Sequence, residues 1–221
     1  MWVMKSDIMW TFDCPEDLSD LVKEYFLSLD FSEANWKEQL GALNDSTALE
    51  LLDTSGWNFT LAGTDGTAWD EKLWSWNEST RKANFGDAVW DPIVQRLARE
   101  QIGEFKDVEN LVIKRAATFC YPKEEGFMGW HTNNDTPAWR IYFTYTEEEN
   151  KSYISYYNEE TQQEMKSYDK KGVTCRAFNL LNGLRHSVYA QTRRWTMGFR
   201  IFDGDKLPEF FSECYGEFEE G

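Results

Sequence analysis

The sequence predicts an α+β protein, a mainly helical first half followed by antiparallel strands in a sandwich or jelly roll. Three observations carry that expectation. Residues 15–29 and 91–105 place apolar side chains at helical spacing. From residue 110 onward the chain breaks into short β-prone runs separated by Gly and Asn, with no helical stretch between them. The composition, 41% hydrophobic and 16% aromatic with 11 tryptophans, can fill a sizeable core.

The first helix is read in CPEDLSDLVKEYFLSL. Its first turn is acidic, Pro15 suits a helix start, and Leu18, Leu21, Val22, Tyr25, Phe26 and Leu29 share a face. A second helix is read in DPIVQRLAREQIGEF, with Asp91 as N-cap, Pro92 at the first helical position and Gly103 near its end. Between them, SGWNFTLAGTDGTAWDEKLWSWNEST holds turn chemistry at residues 62–66, and its flanking alternation predicts a hairpin or ordered loop. After Glu109, NLVIKRAATFCYP is β-prone. AWRIYFTYT alternates Trp139, Ile141 and Phe143 against Arg140, Tyr142 and Thr144. KSYISYYN, GVTCRAFNLL, RHSVYA and RRWTMGFRIF read as further strands. The chain thus divides into a helical support (1–107), a strand-rich core (108–206) and an acidic, loosely attached tail (207–221).

Charge narrows the function classes. A net charge of −16 repels phosphate backbones, so duplex nucleic acid is not an expected partner. The opening MWVMKSDIMW is interrupted by Lys5 and Asp7 and reads as neither signal peptide nor membrane span. No membrane partner is expected, and a cytoplasmic protein is. The cysteines, at 14, 120, 175 and 214, lack zinc-like or CxxC spacing and are expected to be reduced. One segregation stands out. From Lys170 to Phe202 there is no acid, while Lys170, Lys171, Arg176, Arg185, Arg193, Arg194 and Arg200 fall in that stretch. It reads either as a solvated basic edge of the sheet or as a site for a small anion.

The 2 histidines each sit beside a motif, His131 in GWHTNND and His186 in LRHSVY. In RRWTMGFR, extended geometry puts Arg194, Thr196, Gly198 and Arg200 on one face and Trp195, Met197 and Phe199 on the other. A buried guanidinium needs an anion, and Arg beside a hydroxyl suits a carboxylate, because the planar fork meets both oxygens. Arg194 with Thr196 is therefore a candidate carboxylate clamp, with Gly198 leaving space beside it.

Residues 110–202 resemble the double-stranded β-helix of the iron(II)- and 2-oxoglutarate-dependent oxygenases, in the texture of the small phage and bacterial members. The resemblance rests on the order and spacing of His131, Asn133, His186, Arg194 and Thr196, on GVTCRAFN before the distal histidine and on RIYFTYT after the first motif. It implies that His131 and His186 hold Fe(II) and that Arg194 and Thr196 hold 2-oxoglutarate, with Tyr142 or Tyr145 adding a hydroxyl. No catalytic residue is implied beyond the metal ligands. Arg140 and Arg200 are candidates for a substrate carboxylate or phosphate, and Trp130 for an aromatic wall, although the tryptophans equally suit core packing.

Asn133 departs from the family's His-x-Asp/Glu. Four readings stay open: Asp135 supplies the carboxylate; Asn133 or water fills the place; the place accepts another anion; or the site is dead and the fold binds a ligand or partner. The implied function is a dioxygenase, a hydroxylase of a small molecule, nucleotide or peptide side chain. The alternative is a non-catalytic ligand- or partner-binding protein on the same fold. A cupin-like isomerase or sugar-binding barrel is disfavoured, because cupin metal sites ordinarily use more histidines than this chain has.

Overall fold

The computed structural model describes residues 8–28, 87–121, 126–132, 137–181 and 184–207. Strand β1 (Met9–Phe12) leads into helix α1 (Glu16–Ser28). Helix α2 (Asp87–Gln101) and a 3-10 turn (Gly103–Phe105) lead into strands β2 (Leu111–Tyr121), β3 (Gly126–His131), β4 (Trp139–Thr146), β5 (Ser152–Asn158), β6 (Gln163–Tyr168), β7 (Gly172–Asn179), β8 (His186–Ala190) and β9 (Arg194–Asp203). They form a 5-stranded sheet, ordered β1-β7-β4-β9-β2, and a 4-stranded sheet, ordered β3-β8-β5-β6. Every strand pair is antiparallel.

The two helices cover one face of the larger sheet with the same spacing. Leu18, Val22, Tyr25 and Phe26 are buried on α1, and Trp90, Val94, Leu97 and Ala98 on α2. Each set is i, i+4, i+7, i+8, one apolar stripe of a helix. Trp90 is fully buried and meets Phe143 at 5.9 Å and Phe199 at 6.0 Å between ring centroids, while Phe26 meets Trp195 at 6.4 Å. The odd-numbered residues of β4 and β9 therefore face the helices. Their even-numbered residues face the smaller sheet, where Phe178 meets Tyr156 at 6.3 Å. The expected alternation in RRWTMGFR holds on both faces.

Three differences from the sequence reading have physical reasons. Helix α2 begins at Asp87 rather than at Asp91, so Pro92 lies inside it. Burial of Trp90 against the sheet draws that first turn into the helix. The region read as helical also supplies an edge strand, because β1 pairs with β7 and buries Met9 and Trp10. Strands β3 and β6 were not separated by sequence, and β6 is a polar edge strand with exposed Met165 and Tyr168. The expected hairpin in residues 55–80, Leu29 and the tail 208–221 lie outside the described residues. Among the described residues, Cys14 and Cys175 are free, and no helix is long and apolar enough to cross a membrane.

Candidate active site

His131 ends β3, and His186 begins β8. Their backbones are directly opposite across the two strands. This pairing depends on a register shift: Met128 faces Val188 and His131 faces His186, so β3 contains one more residue than β8 between the two pairs. A shift of one residue exchanges the faces of a strand. The extra residue puts position 131, rather than 130, opposite His186, with the Cα atoms about 5 Å apart.

His186 is buried, and its Nδ1 lies 2.9 Å from the carbonyl oxygen of Leu184. A carbonyl only accepts, so Nδ1 carries the proton and donates; in the neutral ring the lone pair then belongs to Nε2. That arrangement suits a metal ligand, whose second nitrogen is ordinarily fixed by a hydrogen bond. The ring stands edge-on to Phe178, with centroids 5.3 Å apart. Asn133 and Asp135 lie outside the described residues. Among the described residues, no group of three His, Cys, Asp or Glu side chains converges as a metal site.

Arg194 is buried at the other end of the interior. Its Nε donates to Asp169 Oδ2 at 2.8 Å, and its Nη2 approaches Thr144 Oγ1 at 3.5 Å. Thr144 Oγ1 and Thr196 Oγ1 share a hydrogen bond of 3.0 Å, and the guanidinium carbon lies 5.2 Å from the centre of the Tyr121 ring. Asp169 also pairs with Arg176 and accepts from the Ser152 hydroxyl. Asp169 and Arg176 are fully buried and Arg194 is 1% exposed. Burial alone raises the Asp169 pKa. The Arg194 and Arg176 guanidiniums and the Ser152 hydroxyl outweigh it and hold the carboxyl well below the usual carboxylate range. One carboxylate between two guanidiniums leaves one positive charge buried beside two hydroxyls. This is an environment for a carboxylate.

The backbone around Asp169 is pinned. Asp169 N–H donates to the Ser152 carbonyl at 2.9 Å, and Asn150 N–H donates to the Asp169 carbonyl at 2.9 Å. The Thr146 hydroxyl donates to the Lys170 carbonyl at 2.7 Å, and Lys170 N–H donates to Thr174 Oγ1 at 2.9 Å. Gly172, at φ 85°, then turns the chain into β7, a conformation glycine adopts without strain. Because Ser152 faces Ala190 while Tyr156 faces His186, the Asp169 cluster and the histidine pair lie at opposite ends of β8. Four residues of strand separate those ends, about 13 Å of backbone.

The remaining sequence candidates divide between the two faces. Tyr142 lies on the interior face, accepts from Arg140 Nη1 at 3.2 Å and covers Gly198. The space expected beside Gly198 is filled by that ring: a Cβ on Gly198 would stand 2.5 Å from Tyr142 Cε1. Tyr145 lies on the helix side, packed on Trp195 at 5.6 Å, and does not share a face with Arg194. Arg140 and Arg200 are opposite one another on β4 and β9. Trp130 is buried but lies outside the main apolar cluster.

Sequence reasoning missed Asp169, Ser152 and Thr144, and did not place Arg176 in the site. The available signal was position: Asp169 is the last acid before the acid-free stretch. Thr174, Arg176 and Phe178 also share a face by simple alternation.

No family model and no curated protein matches the sequence. Solved structures to which this chain is similar include an oxidoreductase of the 2OG-Fe(II) oxygenase family from Burkholderia pseudomallei, at 12% identity and TM-score 0.39, over 50% of this chain and 55% of that one. This chain therefore spans about half the length of that protein. A prolyl-4-hydroxylase from Pseudomonas putida is similar over 87% of this chain and 90% of its own, at 14% identity and TM-score 0.40. The non-heme monooxygenase ThoJ is similar over 78% of this chain and 72% of its own, at 10% identity and TM-score 0.34.

Proposed function

We propose that the chain is an iron(II), 2-oxoglutarate-dependent dioxygenase on a double-stranded β-helix, acting as a hydroxylase. The fold reading is supported by the path of the chain. From β2 to β9 it alternates between the two sheets at every step except the β5–β6 hairpin. The observation that carries the function is a pairing of two sites across one interior: two histidine positions opposed on β3 and β8, and a buried, net positive Arg194 cluster at the far end.

The residues fit the group. His131 and the Nε2 of His186 would hold iron(II), with Asn133 or Asp135 as third ligand. Bound there, the metal would supply oxygen activation coupled to conversion of 2-oxoglutarate to succinate. Arg194 would hold the far carboxylate of 2-oxoglutarate, with the Thr144 and Thr196 hydroxyls beside it. Asp169 fixes the guanidinium through Nε, which turns its other nitrogens toward those hydroxyls. Anaerobic titration with iron(II) and 2-oxoglutarate tests the reading. A weak visible charge-transfer band and succinate formation in air are expected. Absence of both overturns it.

A further inference from the structure

Two thiols meet where the edge strand passes into the first helix. Phe12, the last residue of β1, stands directly opposite Cys175 on β7. Cys14 follows two residues later, and its side chain is hydrogen-bonded to that of Cys175. The backbone is fixed on either side of Cys14. Before it, β1 is paired to β7; after it, the N–H groups of Leu18 and Ser19 donate to the Pro15 carbonyl at 3.1 and 2.9 Å as α1 begins. Both cysteines pack in the main apolar cluster, and neither is in a disulfide. Cys175 faces the helix side of the sheet, because its neighbour Arg176 faces the interior and pairs with Asp169 there. Cys175 is fully buried, whereas Cys14 is half-buried.

The contact makes the two thiols unequal. The Cys175 S–H donates to Cys14 Sγ, and this bond holds the Cys14 thiol below its ordinary pKa, against the opposing effects of burial and of Asp17. The same bond, together with burial, pushes the Cys175 thiol up. A thiolate is the nucleophile, so the solvent-facing partner is the reactive one and the buried partner keeps its proton.

We propose that Cys14 and Cys175 form a reversible dithiol–disulfide couple, oxidised by hydrogen peroxide, that fastens the junction of β1 and α1 to β7. In the first step the Cys14 thiolate attacks one peroxide oxygen. The S–O bond forms, the O–O bond breaks, and hydroxide leaves and takes up the proton that the thiol lost, as water. In the second step Cys175 sulfur attacks Cys14 sulfur. The S–S bond forms, the S–O bond breaks, and the hydroxyl departs with the Cys175 proton as a second water. The two sulfurs together lose two electrons, and the peroxide gains them. A lone thiol would stop at the sulfenic acid; a second thiol already in contact carries it on to the disulfide. The closed stretch from 14 to 175 spans most of the chain, so the bond restrains the unfolded state strongly and the oxidised form is the more stable one. The couple lies on the opposite face of β7 from the Asp169 cluster and does not rest on the oxygenase reading.

The test treats the whole, reduced chain with hydrogen peroxide, blocks remaining thiols with N-ethylmaleimide, and maps peptides by mass spectrometry without reduction. A peptide pair joined through Cys14 and Cys175, lighter by two hydrogens and separated by dithiothreitol, is expected. The linked chain should unfold about 5–15 °C above the reduced chain. In Cys175→Ala the reaction should stop at a sulfenic acid on Cys14, trapped by dimedone. In Cys14→Ser, Cys175 should stay unmodified at the same peroxide dose. Should Cys175→Ala fail to fold, dimedone added to the parent chain during oxidation reads the order of attack, and its adduct is expected on Cys14. Absence of the Cys14–Cys175 link, a link made through Cys120 or Cys214 instead, a dimedone adduct on Cys175, or equal Tm for the linked and reduced chains would each overturn the proposal.

Discussion

His131 stands opposite His186 because β3 carries one residue more than β8 between Met128 and His131. In uninterrupted register Trp130 would hold that position and His131 would fall on the other face. Gly129, inside the irregularity, is the residue type that tolerates such a bulge.

Deleting Gly129 should leave metal binding in place without unfolding the sheet. The deletion removes the extra residue, so regular pairing sets Trp130 across from Ser187 and keeps His131 across from His186. Nickel(II) calorimetry on the deletion variant is expected to match the parent chain, with far-UV circular dichroism unchanged. Loss of binding with the sheet intact would mean that the bulge itself, rather than the opposed positions, makes the site.

Asp169 sets both the charge and the aim of Arg194. Asp169→Asn leaves two buried guanidiniums without their counter-charge and should cost about 3–5 kcal/mol in urea unfolding at neutral pH. The pH dependence has a definite sign. A carboxyl held below its unfolded value, near 3.9, contributes stability that is complete above about pH 4 and declines as pH falls through the folded value. The gap between parent and Asp169→Asn should therefore be constant from neutral pH down to about pH 5 and narrow below about pH 4. A gap that narrows near neutral pH would assign the effect to another group.

The parts of this fold that sequence made legible are those where one face is apolar and the other is not. Strands β4 and β9 alternate cleanly because aromatic residues meet the helices on one side while Arg and Thr line the interior on the other. Helix α1 was legible for the same reason at a different period. Strand β3 was hidden because GFMGWH contains two glycines and a bulge, which break alternation. Strand β6 was hidden because QEMKSY pairs on one side only and has no apolar face to show. In the site, the histidines and Arg194 were conspicuous because they are rare or regularly spaced. Asp169 is one of many acids, and only its burial and its two guanidinium partners distinguish it. Neither property is written in local sequence.

Gly198→Ala tests how closely the interior is filled. The new methyl would meet the Tyr142 ring at contact distances no real side chain shows, so the ring must move. A cost of about 1–3 kcal/mol is expected from chemical unfolding. In a Tyr142→Ala background the same substitution should cost much less, because the obstructing ring is gone, and the two changes should be clearly non-additive. Equal costs in both backgrounds would place the strain elsewhere.

Thr196→Val removes a hydroxyl while keeping the branched shape that suits β9. Thr144 loses its 3.0 Å partner, and the surroundings of Arg194 lose one of their two hydroxyls. On the proposed reading, the KM for 2-oxoglutarate should rise about three- to tenfold, the worth of one hydrogen bond, with little change in kcat. A fall in kcat at unchanged KM would mean that the hydroxyl serves the chemistry rather than the co-substrate.

The third ligand of the proposed metal site is decided by two separate variants, Asn133→Ala and Asp135→Ala. A carboxylate is the better donor to iron(II), since it brings charge as well as an oxygen, whereas an amide brings only the oxygen. Position 133 has the spacing from His131, and position 135 has the chemistry. Iron(II) affinity, measured anaerobically by calorimetry, should fall at least about tenfold in the variant that removes the ligand and change little in the other. Asn133→Asp then reports on the same question from the opposite side. If Asn133 is the ligand, adding a carboxylate there tightens iron binding in one step. If Asp135 is the ligand, two carboxylates compete for one position, and the added charge improves binding little. Undiminished affinity in both alanine variants would mean that the histidines bind metal without a protein carboxylate or amide, and that water or a bound anion completes the site.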